Sequence, residues 1–184
     1  MDNTITYKKI IAIACIVSIL LGVFLHFAYD LSGDNVIVGI FTPVNESVWE
    51  HLKLIFVPLT IFGIAFYFYT KRKFSNILLV TLFCNIVAMF VVVTLSYIGN
   101  LIFGTDNMIY NIISYILSMI VAYCIFYLGI YNTEFLEDTK DSTTLGICAL
   151  TLLFAVFALT TFSPIKLDIT RDPVTKTYGI NKQV

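Results

Sequence analysis

MIYNIISYILSMIVAYCIFYLGIY, residues 108–131, runs for 24 residues without a charged side chain. Coiled as an α-helix it would rise about 36 Å, enough to cross the roughly 30 Å hydrocarbon core of a bilayer. Working outward from it, four more uncharged runs of comparable character appear at 10–28, 54–70, 74–98 and 145–162. Each is bounded by charged or turn-forming residues. In lipid a spanning segment has to satisfy its own backbone hydrogen bonds, and these runs are too long and too uniformly apolar for barrel strands. The expected fold is therefore all-α, a polytopic transmembrane bundle of about five spans. The whole composition agrees: 59% hydrophobic, 12% charged, mean hydropathy +0.91. Soluble globular chains carry about 25% charged residues, so a water-soluble globule is excluded.

Orientation follows from basic residues beside short loops. Lys8 and Lys9 precede the first run, and Lys71, Arg72 and Lys73 join the second to the third. Those ends are expected to be cytoplasmic, which through five spans leaves the C-terminus extracytoplasmic. The segment 134–141, with four acids and one lysine, is discordant, although acids weigh little in that rule. Lys8 and Lys9 imitate a secretory leader, but the following run is long for one and no small-x-small cleavage site follows, so it is read as an anchor.

Two stretches are neither span nor plain linker. Residues 36–41 are apolar but too short to cross, and turn-rich residues flank them, which suggests a short interfacial or re-entrant loop. Residues 163–184 alternate around Leu167 to Thr170, turn near Arg171-Asp172-Pro173 and resume at Thr177 to Ile180, the pattern of a small hairpin. Such a hairpin is marginal alone, so residues 163–184 are expected as an extracytoplasmic tail packed on a five-helix domain of residues 1–162.

Function classes narrow by elimination. No segment carries the basic stripe of nucleic-acid recognition. Cys15, Cys84, Cys124 and Cys148 all lie in apolar runs without a CxxC pair and read as small buried hydrophobes. Neither GxSxG nor HExxH is present. What remains is a polar constellation at the entry to the second span: Asn45, Glu46, Ser47, Trp49, Glu50, His51 and Lys53. If helical, Glu46 and Glu50 share one face and Lys53 reaches Glu50. His26 and Asp30, an i, i+4 pair, end the first span at the same membrane boundary. Both histidines of the chain thus converge on one patch.

Glu46 and Glu50 are the candidate catalytic carboxylates. His26, Asp30 and His51 are the candidate ligands of a divalent metal such as zinc, and Asn45, Ser47, Lys53 and Arg171 complete the polar site. The plainer alternative has Glu46 capping a helix start, Glu50 paired with Lys53, and His26 bonded to Asp30 or Tyr29. Trp49 reads as an interfacial anchor. Asn111, Ser114, Ser118 and Ala122, with Asn85, line a face that serves either close helix packing or a polar path.

The stretch from His26 to Pro58, HFAYDLSGDNVIVGIFTPVNESVWEHLKLIFVP, resembles an uncharacterised family of small bacterial integral membrane proteins with a signature close to PVNESxWEHxK. Residues 172–180 match the family's DPxTxxYGI tail. The resemblance implies a multi-pass protein of a bacterial cell membrane and carries no established activity. Three readings stay open: a metal-assisted hydrolase or transferase acting on a membrane lipid or other lipid-like substrate, a transporter or binder of a small solute or cation, and a non-catalytic membrane partner.

Overall fold

The computed structural model describes residues 3–71, 73–104, 107–131 and 140–180. It is helical throughout: α1 (Asn3–Leu31), α2 (Val36–Phe41), α3 (Val48–His51), α4 (Lys53–Tyr69), α5 (Ile77–Phe103), α6 (Met108–Tyr131) and α7 (Lys140–Phe162), followed by a 3-10 turn at Asp168–Thr170. Five helical stretches are long and apolar enough to cross a membrane, with α3 and α4 acting as one. Leu52 between them keeps right-handed helical angles, so the helical path continues through it.

Most spans are longer than their uncharged runs. α1 extends back past Lys8 and Lys9, and the second span begins at Val48 rather than 54, because Glu50 and Lys53 are themselves buried. Residues 36–41, expected as a short interfacial or re-entrant loop, take the form of a short helix: Asn35 caps it by accepting the Ile37 N–H on Oδ1 (2.9 Å). The tail closes its hairpin-like turn with one antiparallel bridge, Arg171 to Tyr178. Most of the discordant 134–141 segment lies outside the described residues.

α5 packs against α4, α6 and α7, while α1 packs on α4 and α6. The interior mixes aliphatic side chains with an aromatic cluster, in which Phe62, Phe66, Tyr123 and Phe126 meet in tilted and edge-on pairs at ring separations of 5.1–5.5 Å. Small residues set the closest approaches: a Cβ on Gly22 would collide with the Tyr115 hydroxyl and the Leu54 carbonyl. Ser114, Ser118 and Asn85 are buried. The Ser118 hydroxyl donates to Tyr115 O within α6, and the Asn85 amide donates both to Thr81 O within α5 and to Thr60 Oγ1 of α4. Outward, Ile13, Leu20, Phe24, Phe90, Leu101 and Leu152 stand exposed, an apolar surface suited to lipid rather than water.

The odd–even path of the spans places the C-terminal end of α1, α2, α3, the start of α4, the end of α7 and the tail together at one end of the bundle. Lys8 and Lys9 near the start of α1, and Lys71 and Lys73 after α4, lie at the other.

Candidate metal centre

Between α2 and α3 the chain turns back on itself, and the turn's residues are held individually. Ser47, not Glu46, is the N-cap of α3: its hydroxyl accepts the Glu50 N–H at 3.3 Å. Glu46 therefore precedes the helix, and the i, i+4 geometry with Glu50 does not arise. Asn45 accepts the Ser47 N–H on Oδ1 (2.9 Å) and donates from Nδ2 to Gly179 O (3.0 Å). Gly179 has φ +58°, and a Cβ there would stand 2.6 Å from Thr161 O, so a side chain is excluded both by conformation and by space.

The two glutamates are consequently sent to different places. Glu50 is 2% exposed and meets Lys53, 1% exposed, at 2.7 Å. Lys53 Nζ also reaches Gly39 O (2.8 Å), Thr42 O (3.1 Å) and Thr161 Oγ1 (2.6 Å). The Glu50 carboxylate accepts the Val44 N–H and the Thr161 hydroxyl. One buried ion pair thus ties α2, the turn, α3, α4 and α7 together, with its polar atoms matched as low-dielectric burial requires.

Glu46 turns outward instead, to the two histidines. His26 Nε2 and His51 Nε2 lie 3.3 Å apart, and Glu46 Oε2 is 3.5 Å from His51 Nε2 and 4.0 Å from His26 Nε2. His51 Nδ1 lies 2.8 Å from Ser47 O. A carbonyl only accepts, so Nδ1 carries the hydrogen, and in the neutral ring the Nε2 lone pair faces His26 and Glu46. Four-coordinate zinc with bonds of about 2.0–2.1 Å has ligand atoms about 3.3–3.4 Å apart. Two of the three separations are close to that value, and the third needs a small movement of an exposed carboxylate. The donor set therefore fits a transition metal: two imidazoles and a carboxylate, with the orienting hydrogen bond from a ring N–H to a backbone carbonyl that such histidines usually make. The side chains are 29–50% exposed, so a metal held there would have a fourth position open to solvent.

The remaining site residues fall around this centre. Asp30 and Asp34 line a neighbouring polar cavity of about 260 Å³ with Tyr29, Asn45, Asp172 and Thr175. Asp30, the expected third ligand, is not in the group of donor atoms that lie together; the carboxylate found beside the two histidines is that of Glu46. Arg171 is exposed and pairs its backbone with Tyr178. Its neighbour Asp172 is the residue that reaches the turn, accepting the Glu46 N–H on Oδ2 at 3.3 Å. Burial alone would raise the Asp172 carboxyl. Hydrogen bonds from the Thr175, Val174 and Glu46 N–H groups and the Thr175 hydroxyl outweigh it and hold it below the usual carboxylate range. The signal for Asp172 was in the sequence, since Asp before Pro favours a turn whose side chain accepts the following amides. Trp49 faces the bundle, donating to Thr160 Oγ1 (2.8 Å) and lying 5.3 Å from the Phe157 ring.

A model for a family of unknown function, DUF6512, matches residues 1–180. The chain belongs to that family. The match takes in all five spans, both histidines, the turn and the tail up to Ile180, so the site geometry lies wholly inside the family's extent. No curated protein and no solved structure matches the chain.

Proposed function

We propose that this is a multi-pass protein of a bacterial cell membrane, N-terminus cytoplasmic and tail outside. In this reading His26, Glu46 and His51 hold a divalent metal such as zinc for hydrolysis of a lipid-borne or amphipathic substrate at the outer surface. The observation that carries it is the mutual approach of three donor atoms, 3.3–4.0 Å apart, on two helix ends and a turn. Bound there with one position open, the metal would supply an activated water at neutral pH.

The chain's own residues supply the rest. Ser47 O fixes the ring orientation of His51, and the Glu50–Lys53 pair anchors the helix that carries it. Phe27, 52% exposed, lies against the His26 ring at 4.9 Å, and exposed Leu31 follows one turn on. Lipid-facing side chains therefore stand level with the centre, which favours a substrate arriving from the membrane. Orientation is supported by the short loops: residues 32–47 and 104–107, at the site's end, contain no Lys or Arg, whereas the 71–73 loop at the other end is wholly basic. A transport path is less supported, because the Ser118 hydroxyl donates within its own helix and the Asn85 amide is taken up by Thr81 O and by Thr60 Oγ1 of α4.

The test is metal content of detergent-purified protein after zinc loading and dialysis. Near-stoichiometric zinc in the wild type, lost in His26→Ala, His51→Ala and Glu46→Gln, is expected. A folded wild type that retains no zinc, cobalt or manganese would overturn the reading.

A further inference from the structure

The contact that fixes Glu46 comes from the far end of the chain. Its backbone N–H donates to Asp172 Oδ2, 126 residues on, and the preceding Asn45 side chain donates to Gly179 O. Asp172 is 3% exposed and divides its two oxygens between two tasks. Oδ1 accepts the N–H groups of Val174 (2.7 Å) and Thr175 (3.0 Å), which shapes the tail's turn. Oδ2 holds the Glu46 peptide. Glu46 has no helix to set its direction, because α3 begins after it. Peptide contacts on either side therefore decide where its carboxylate points. The tail itself is docked independently, by the Ile180 N–H on Thr161 O (3.0 Å) and by the packing of its 3-10 turn on α3.

We infer that Asp172 is a positioning residue for the His26–Glu46–His51 centre: by holding the Glu46 peptide it aims a carboxylate that it does not touch, so the docked tail governs how well the centre holds metal. The inference rests on the metal reading above for its consequence, and on hydrogen bonding alone for its cause. Asparagine separates the two tasks of Asp172. In the same rotamer its Oδ1 preserves the turn, while its Nδ2 brings a donor against the donor of Glu46. Flipping the amide would restore the Glu46 contact only by sacrificing two bonds of the turn. Asp172→Asn thus breaks the Glu46 contact and spares the tail, whereas Asp172→Ala removes both.

The experiment compares full-length wild type, Asp172→Asn, Asp172→Ala and Glu46→Gln in detergent micelles. Cobalt(II) is titrated with absorption as the readout, and hydrogen exchange of the metal-free proteins is followed in peptides covering 42–52 and 164–180. In Asp172→Asn the cobalt dissociation constant should rise about 10–100-fold, the range seen when a partner of a metal ligand is removed. The cobalt spectrum should move toward that of Glu46→Gln, and exchange should quicken at 45–47 with 172–180 still protected. Asp172→Ala should lose protection in both segments. Unchanged exchange at 45–47, or quicker exchange there with wild-type cobalt affinity and spectrum, would overturn the inference. Quickening spread over both segments in Asp172→Asn would also overturn it, reducing Asp172 to a general stabiliser. If the wild type binds no cobalt, the metal reading fails by itself, and exchange at 45–47 still decides whether Asp172 holds Glu46.

Discussion

Glu46 and Glu50 stand four residues apart in one turn and helix, yet they occupy opposite kinds of environment. Glu50 is sealed among Lys53, Thr161 and the Val44 amide, with its charge neutralised by a cation as buried as itself. Glu46 is half exposed and faces two imidazole nitrogens. Saturated partners make a fastening, whereas donor atoms that converge on a common point with solvent access are what the proposed metal reading requires. The difference follows where α3 begins: Glu46 lies before its cap residue, Ser47, while Glu50 falls inside the helix.

That contrast can be broken by experiment. Glu50→Gln should give the largest effect on folding, since removing one partner of a buried pair costs about 3–5 kcal/mol. Thermal unfolding in detergent should report it, and replacing both partners by apolar residues (Glu50→Leu with Lys53→Met) should recover much of the loss. A fully stable Glu50→Gln would place Glu50 among the functional groups instead. Glu46→Gln should do the reverse, weakening zinc or cobalt binding by about 100-fold or more, roughly 2.7 kcal/mol by the usual conversion. Unfolding of the metal-free protein should stay within about 0.5 kcal/mol of wild type, as for exposed substitutions generally. A matching loss of stability would erase the distinction between the two carboxylates.

Smaller changes sharpen the picture. Gly179→Ala forces a side chain into left-handed backbone and against Thr161 O, a cost of about 1–3 kcal/mol, and should loosen tail and turn together in hydrogen exchange. Ser47→Ala removes the cap of α3 and should cost about 1 kcal/mol. It leaves the Ser47 carbonyl that orients His51 in place, so metal affinity should change little. A large drop in affinity would show that the cap, and not the carbonyl, sets the imidazole.

The spans were legible because lipid imposes one rule on every backbone, and a run such as 108–131 obeys it without exception. Their ends were less so. Lys53 breaks an apolar run in the sequence but is buried by partners on α2 and α7 that no local pattern reveals. The convergence of His26 on the turn was also readable, from the antiparallel return of the chain. Asp30 was the candidate third ligand beside His26, an i, i+4 neighbour, whereas the carboxylate grouped with the two histidines is that of Glu46, which precedes the cap of α3. Helical periodicity describes neighbours along one element. It is silent on a contact between residues 46 and 172.

That long-range contact carries a consequence for biogenesis. The histidines and Glu46 are synthesised with the first two spans, but the Glu46 peptide meets Asp172 only after the fifth span has been inserted and the segment behind it has folded back. A chain stopped short of α7 would contain both histidines and Glu46 and still lack the contact that holds the Glu46 peptide. On the proposed metal reading the centre would mature last, and metal capture would report on the completion of membrane assembly.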